Sequence, residues 1–247
     1  SGSAQMEINF QHGNPLELAD QVFIFKRTLR QAAIKHKLYA TFMAKPMQNQ
    51  PGSSLHLHQS LISKTNRKNV FFSKKNTLSN LMKNYIAGLQ EYTPKLMPIH
   101  APNINSYRRL FATWDAPKNT YWGIGNRSCG FRIPSNEEHS MRVENRISGS
   151  DTNPYLVIAA NLAAGYLGVK NKLKPTTETK KSVFGQKKSS LPKNMEQAIS
   201  LFEKDEQINE VFNQKFVRTL AAIRKVENQA YLKVISSWER EFLLLNV

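Results

Sequence analysis

MRVENRIS, residues 141–148, places Arg142, Glu144 and Arg146 at every second position, with Met141, Val143, Asn145 and Ile147 between them. Side chains alternate across a β-strand, so the pattern predicts a strand with one charged face, a carboxylate flanked by two guanidiniums. A solvated sheet surface is the plain reading of such alternation. The opposite face is only partly apolar, however, because Asn145 interrupts it, so exposure to solvent is not the obvious explanation. The alternative is an ionic site on a sheet.

PGSSLHLHQS, residues 51–60, is the nearest match in kind. After a Pro-Gly turn, His56 and His58 lie two apart in a β-leaning run and share one strand face. They are either ligands of a common ion or two half-exposed imidazoles, and the metal reading needs carboxylates from other segments. Arg109, Arg127 and Arg132 add three guanidiniums in neighbouring stretches. Arginine binds phosphate and carboxylate through paired donors. Histidines, few carboxylates and many arginines suit a site that handles a metal–polyphosphate together with an acidic substrate. No glycine-rich phosphate loop or GxGxxG motif is present, so a nucleotide would be held by another scheme.

The chain of 247 residues is long enough for one large domain with a substantial core, and 40% apolar content reads as globular. Cys129 is the only cysteine, which excludes an internal disulfide and a cysteine-based zinc site and points to a reducing, cytoplasmic setting. The quietest apolar run, Tyr155 to Val169, contains Asn161 and is too short to span a bilayer, so no membrane partner is expected. The opening SGSAQMEINF has no initiator Met and no signal-peptide pattern, and it reads as the interior of a longer protein. The net charge of +17 favours anionic ligands. Much of it sits in two loop-like stretches, 63–76 and 170–194, without aromatics spaced for base stacking. Solvated lysine loops account for it, and nucleic acid is not expected as a partner.

NPLELADQVFIFKRTLRQAAIKHKL, residues 14–38, reads as a helix, with Asn14 as cap and Pro15 in the first turn. YATFMAKP, 39–46, reads as a strand, and 77–92 as a helix. The stretch 101–117 reads as a loop, 121–134 as strand-like, and 153–173 as a buried helix. Two further helices are expected at about 194–204 and 207–234. Helices and short strands mix without regular alternation, so the fold class is α+β.

Four motifs in order, AKPMQNQPGSSLHLHQSL, NSYRRLFATWDAP, NRSCGFRIP and RVENRISGSDTNPYL, resemble the catalytic domain of the glutamine synthetase family. The likeness covers essentially all of residues 1–247. PGS before the HxH, the G-x-D-x-NPYL form of the last motif, and the ending WEREFLLLNV are more similar to the γ-glutamylpolyamine synthetase branch than to true glutamine synthetases. The resemblance implies the later part of an α+β catalytic domain, an antiparallel sheet with packed helices. The family's N-terminal β-grasp domain and its Glu-x-Glu strand would be absent.

The activity implied is an ATP-dependent ligase that phosphorylates the γ-carboxylate of glutamate and passes the acyl group to an amine such as putrescine. True glutamine synthetase acting on ammonia, or a non-catalytic structural or regulatory relative, are the alternatives. The resemblance implies Mg²⁺ or Mn²⁺ on Glu7, His56 and Glu144. It implies ATP near His58 and Ser60, with its phosphates on Arg127, Arg132 and Arg142, Arg127 acting in the transfer itself. Glutamate would be held by Gly52, Arg109 and Arg146, and the amine by Asp115. Homo-oligomeric rings are implied, and the chain by itself is expected to be inactive. Asp115 stands where glutamine synthetases carry a glutamate, Pro51 where they carry an asparagine, and His139 where a lysine is common. The shorter Asp115 leaves room for a bulkier amine, with Trp114 and Trp122 as candidate walls.

Overall fold

The structure, a computed structural model, describes residues 2–73, 77–111, 116–134, 137–186 and 189–247. The chain opens with an extended stretch and α1 (Pro15–Lys35), then β1 (Leu57–Gln59), β2 (Phe72–Ser73) and β3 (Thr77–Leu78). α2 (Asn80–Tyr92), α3 (Met97–His100) and α4 (Ile104–Phe111) follow, and then β4 (Trp122–Ile124), β5 (Phe131–Ile133) and β6 (Val143–Asn145). The last part is helical: α5 (Pro154–Lys170), α6 (Met195–Lys204), α7 (Glu206–Phe212), α8 (Gln214–Leu232) and α9 (Ser237–Leu243).

The cap foreseen at Asn14 forms, and Asn153 plays the same part for α5. Asn14 accepts a hydrogen bond from the Leu16 amide at 2.9 Å, and Asn153 accepts from those of Tyr155 and Leu156. Each satisfies donors that the first turn leaves orphaned.

Four strands make the central sheet in the order β1-β6-β5-β4. β6 is antiparallel to both β1 and β5, whereas β4 runs parallel to β5. Parallel neighbours usually need a long crossover. Here each strand is three residues long, so the short return 125–130, with Gly125 at φ +66°, carries the chain back to the start. That one pairing departs from a purely antiparallel sheet.

One face of this sheet is the core wall. Phe131, Ile133, Met141, Val143 and Ile147 are fully buried there with residues of α2 and α5. Asn145 lies on the same face and is also fully buried. Its Nδ2 donates to Asn161 Oδ1 of α5 at 2.7 Å, and its own Oδ1 accepts from the Ile147 amide. The polar residue that interrupts the apolar face of MRVENRIS is thus a satisfied strand-to-helix bond, as a buried amide requires.

α2 and α5 cross at glycines. A Cβ on Gly88 would sit 2.1 Å from the Ala164 carbonyl oxygen, and one on Gly168 would sit 2.2 Å from that of Asn84.

Three expectations fail. Residues 39–46 form no strand, because their polar groups are used otherwise. The Lys45 amide donates to Asn105 Oδ1, Asn105 Nδ2 donates back to the Lys45 carbonyl, and the Ala44 carbonyl accepts from Ser53. The first part of 101–117 is helix α4 rather than loop. Tyr107 and Leu110, three apart, are buried on one side, and buried Ser106 and Arg109 disguise the pattern. The final long helix is two, broken at Asn213. That residue takes a left-handed φ of +68° and caps α8 by accepting from the Lys215 amide. Asn tolerates that conformation better than most residues.

The basic stretch after α5 is laced to the sheet edge. The Thr179 amide donates to the Trp122 carbonyl, and Trp122 Nε1 donates to the Thr176 carbonyl at 2.7 Å. It therefore covers β4, an edge strand that would otherwise offer free backbone groups.

Two measurements test this packing. Gly88→Ala should destabilise the fold by about 2 kcal/mol despite alanine's better helix propensity, because its methyl meets backbone and not a yielding side chain. A urea midpoint unchanged or raised would contradict the close crossing. The second concerns His100, fully buried at the end of α3, with Nδ1 2.9 Å from Ser148 Oγ and Nε2 without a hydrogen-bond partner. Burial pushes its pKa down to about 4 from an ordinary 6.5. The unfolded chain therefore takes up this proton first as pH falls. Stability should be full above about pH 6.5 and drain away toward pH 4, with a slope of up to about 1.4 kcal/mol per pH unit. Denaturation at pH 7, 6 and 5 should show a shallower slope for His100→Asn than for the natural chain.

Candidate active site

The other face of the sheet carries charge. In the ladder, Glu144 of β6 stands opposite His58 of β1 on one side and Arg132 of β5 on the other. Residues paired in this way have side chains on one face, so the three form a row across the sheet. Arg142 and Arg146, two residues before and after Glu144, extend it along the strand direction.

The Glu144 side chain is only 2% exposed. Its Oε2 accepts from Arg132 Nη1 at 2.8 Å and its Oε1 from Arg146 Nη1 at 2.7 Å. His56 Nδ1 lies 3.2 Å from Oε1, and His58 Nε2 lies 3.8 Å from it. Burial pushes the carboxyl's pKa up, but Arg146, the two histidines and Arg132 together outweigh it and hold the pKa below the ordinary carboxylate value. Glu144 is ionised at neutral pH.

The imidazoles are neutral there. Crowding by protein, and then Arg146, bring the His56 pKa down to about 4 against the opposing pull of Glu144. A ring with its proton on Nδ1 can donate to Glu144 while Nε2, 3.0 Å from Ser54 Oγ, accepts from that hydroxyl. His58 is also lowered, by burial and by the surrounding arginines, chiefly Arg142, again against Glu144. Its Nδ1 accepts from Arg142 Nε at 3.1 Å, which leaves Nε2 to carry the proton that faces Glu144.

Two guanidiniums thus share one carboxylate, a third, Arg142, holds His58 beside them, and the face keeps an excess of positive charge. The Nε atoms of Arg132 and Arg146 are buried without a hydrogen-bond partner. Guanidiniums in excess of carboxylate on one face suit an anion with several oxygens.

Arg109 adjoins this face from α4. It is 3% exposed and donates to the carbonyls of Ile147 at 2.7 Å and Arg146 at 3.1 Å. Gly52 packs against it so closely that a Cβ there would lie 2.6 Å from Arg109 Cγ.

The structure therefore brings together His56, His58, Arg132, Arg142, Glu144 and Arg146, with Arg109 and Gly52 beside them. Ser60 is exposed just beyond β1, and Arg127 is exposed in the return between β4 and β5. Glu7 is exposed in the opening stretch. Among the described residues, none of these three hydrogen-bonds or pairs with the cluster. Asp115 and Trp114 lie outside the described residues. Trp122 belongs to the core and is 6% exposed, so it is no wall for a ligand.

Among the described residues, no group of three or more His, Cys, Asp and Glu is arranged to hold a metal ion. His56 and Glu144 offer one nitrogen and one carboxylate, and guanidiniums already occupy both carboxylate oxygens. These residues supply part of a site for a hard divalent ion, not a complete one.

Two anchors of the site had no sequence signal of their own. Asn105 clamps the backbone of Lys45, and Asp151 binds the first turn of α4. Both sit in stretches rich in Asn, Ser and Asp, where side-chain bonds to nearby backbone are common and which bonds form is decided by tertiary contact.

No helix among the described residues is long and apolar enough to cross a membrane. The model of the glutamine synthetase catalytic domain matches residues 1–243. A glutamate–isopropylamine ligase of Pseudomonas sp is 36% identical, over 96% of this chain and 53% of its own length. The γ-glutamylputrescine synthetase PuuA of Escherichia coli strain K12 is 35% identical, over 98% of this chain and 51% of its own. A glutamine synthetase of Pyrococcus abyssi is 34% identical, over 96% and 55%. Among solved structures, a GmaS/ADP complex superposes with a TM-score of 0.87 at 29% identity, covering 96% of this chain and 56% of that one. The chain spans about half the length of the curated relatives it matches. It belongs to the glutamine synthetase family, by its catalytic domain.

Proposed function

We propose that this chain is the later part of the catalytic domain of an ATP-dependent ligase that joins the γ-carboxylate of glutamate to an amine. The observation that carries the reading is the Glu144-centred face, where Arg132 and Arg146 bind one carboxylate and Arg142 and two neutral imidazoles adjoin it. A carboxylate is a poor acyl donor at neutral pH, so phosphorylation must precede attack by the amine. Arg132 and Arg142 neutralise the phosphate oxygens, with Arg127 closing over the group in transfer, and His58 and Ser60 border the nucleotide. Arg109, Arg146 and Gly52 hold glutamate, and Asp115 takes the ammonium side of the amine. Mg²⁺ or Mn²⁺ on His56, Glu144 and Glu7, joined by carboxylates from outside this chain, would screen the phosphates. The complete protein is a cytoplasmic homo-oligomer, a ring in which neighbouring subunits complete the sites.

The amine separates this reading from its alternative. Two relatives at 36% and 35% identity bear the names of glutamate–amine ligases, but a glutamine synthetase follows at 34%, so overall likeness does not decide it. The shorter Asp115 favours a larger nucleophile than ammonia. Full-length protein given glutamate, ATP and Mg²⁺ should use putrescine or another alkylamine with a kcat/KM well above that for ammonium. If ammonium is the better nucleophile at matched free-base concentrations, true glutamine synthetase is the right assignment.

The chain alone should release phosphate from ATP and glutamate at no more than background rates, because its carboxylate set is incomplete. Robust glutamate-dependent turnover by residues 1–247 would overturn the view that further ligands are needed.

A further inference from the structure

Asp151 follows β6 in the turn that leads into α5. Its Oδ2 accepts two hydrogen bonds from the start of α4, from Asn103 Nδ2 at 2.8 Å and from Ser106 Oγ at 2.6 Å. Its Oδ1 turns back over Gly149, where a Cβ would stand 2.3 Å from it, so the carboxylate keeps this orientation only above a glycine. Lys26 of α1 donates to the Ser150 and Thr152 carbonyls at 2.6 and 2.9 Å, closing the turn from its other side.

The same short segment grips α4 a second time. The Arg146 and Ile147 carbonyls receive the guanidinium of Arg109, which lies three residues beyond Ser106 and therefore about one helical turn on. A further polar attachment of α4 is Asn105, bonded in both directions to the backbone of Lys45 beside the loop that carries Gly52. Without the Asp151 bonds the first turn of α4 loses its tie to this turn, while the Asn105 bonds and the carbonyls that hold Arg109 stay in place.

We propose that Asp151 is a positioning residue for Arg109. By fixing the first turn of α4 it sets where that guanidinium stands against Arg146, and so sets the fit of the carboxylate substrate. The inference rests on the reading of Arg109 and Arg146 as the glutamate-holding pair. It extends that reading to a residue which touches no substrate. The part played by Asp151 is that of a hydrogen-bond acceptor, so Asn, which keeps an acceptor oxygen in the same place, should largely replace it and Ala should not.

The test uses full-length protein and three variants, Asp151→Ala, Asp151→Asn and Ser106→Ala. Asp151→Ala should raise the KM for glutamate at least tenfold while the KM for ATP stays within twofold. Asp151→Asn should recover most of that loss. Ser106→Ala, which cuts the link from the α4 side, should raise the glutamate KM severalfold and serves if Asp151→Ala does not fold. A second readout needs no substrate. Nitrogen NMR of the Arg109 guanidinium should show slow hydrogen exchange in the natural protein and clearly faster exchange in Asp151→Ala or Ser106→Ala. Equal rises in both KM values, or unchanged Arg109 exchange in the variants, overturns the proposal. Faster Arg109 exchange in a protein whose natural form does not consume glutamate would uphold the positioning role and overturn the ligase reading instead.

Discussion

A single carboxylate holds the charged face in place. Glu144 is buried on β6, an inner strand of the sheet, and a charge removed from water in this way is costly unless fully paired. It is paired across the ladder with Arg132 of β5 and along its own strand with Arg146. Those bonds tie β5 to β6 through side chains as well as backbone, and they fix which arginine nitrogens remain available. The same charge orients both imidazoles of the His-x-His run. Loss of the Glu144 charge would leave the guanidiniums of Arg132 and Arg146 without the partner they share, so the geometry of the face and its charge state are one property.

Much of this was legible in the alternation of MRVENRIS. A period of two put Arg142, Glu144 and Arg146 together, and the one discordant residue, Asn145, turned out to mark the bond to Asn161. Long-range partners were less legible. α4 was hidden because two of its four buried residues, Ser106 and Arg109, are polar, and residues 39–46 have strand composition but spend their hydrogen bonds on Asn105 and Ser53. The break at Asn213 depends on a backbone angle that composition only weakly signals. Which strand opposes which residue, and hence that His58 and Arg132 flank Glu144, is a matter of register that no local pattern specifies.

The net charge of +17 reads differently once the chain is folded. Part of it is gathered over the site, where arginines outnumber the carboxylate they share. Another part lies in the stretch after α5, whose backbone is stitched along β4 by Thr176 and Thr179. Lysines carried on such a cover discourage edge-to-edge association of sheets. Basic residues therefore serve at least two separate ends here, and neither requires a nucleic-acid partner.

α1 stands apart from the rest in how it is held. Of its 21 residues only Ala19 is buried, while Phe23, Ile24 and Ile34 are each more than half exposed. Its ties are polar or aromatic: Lys26 to the turn at 150–152, and Phe25 to Phe42 with ring centroids 6.3 Å apart. α5, by contrast, buries nine residues at the centre of the molecule. Local opening costs least where least apolar surface is covered. The amides of α1 would then exchange with solvent through a partial unfolding that leaves the sheet and α5 intact, making this helix a separate cooperative unit on the surface of a more stable body.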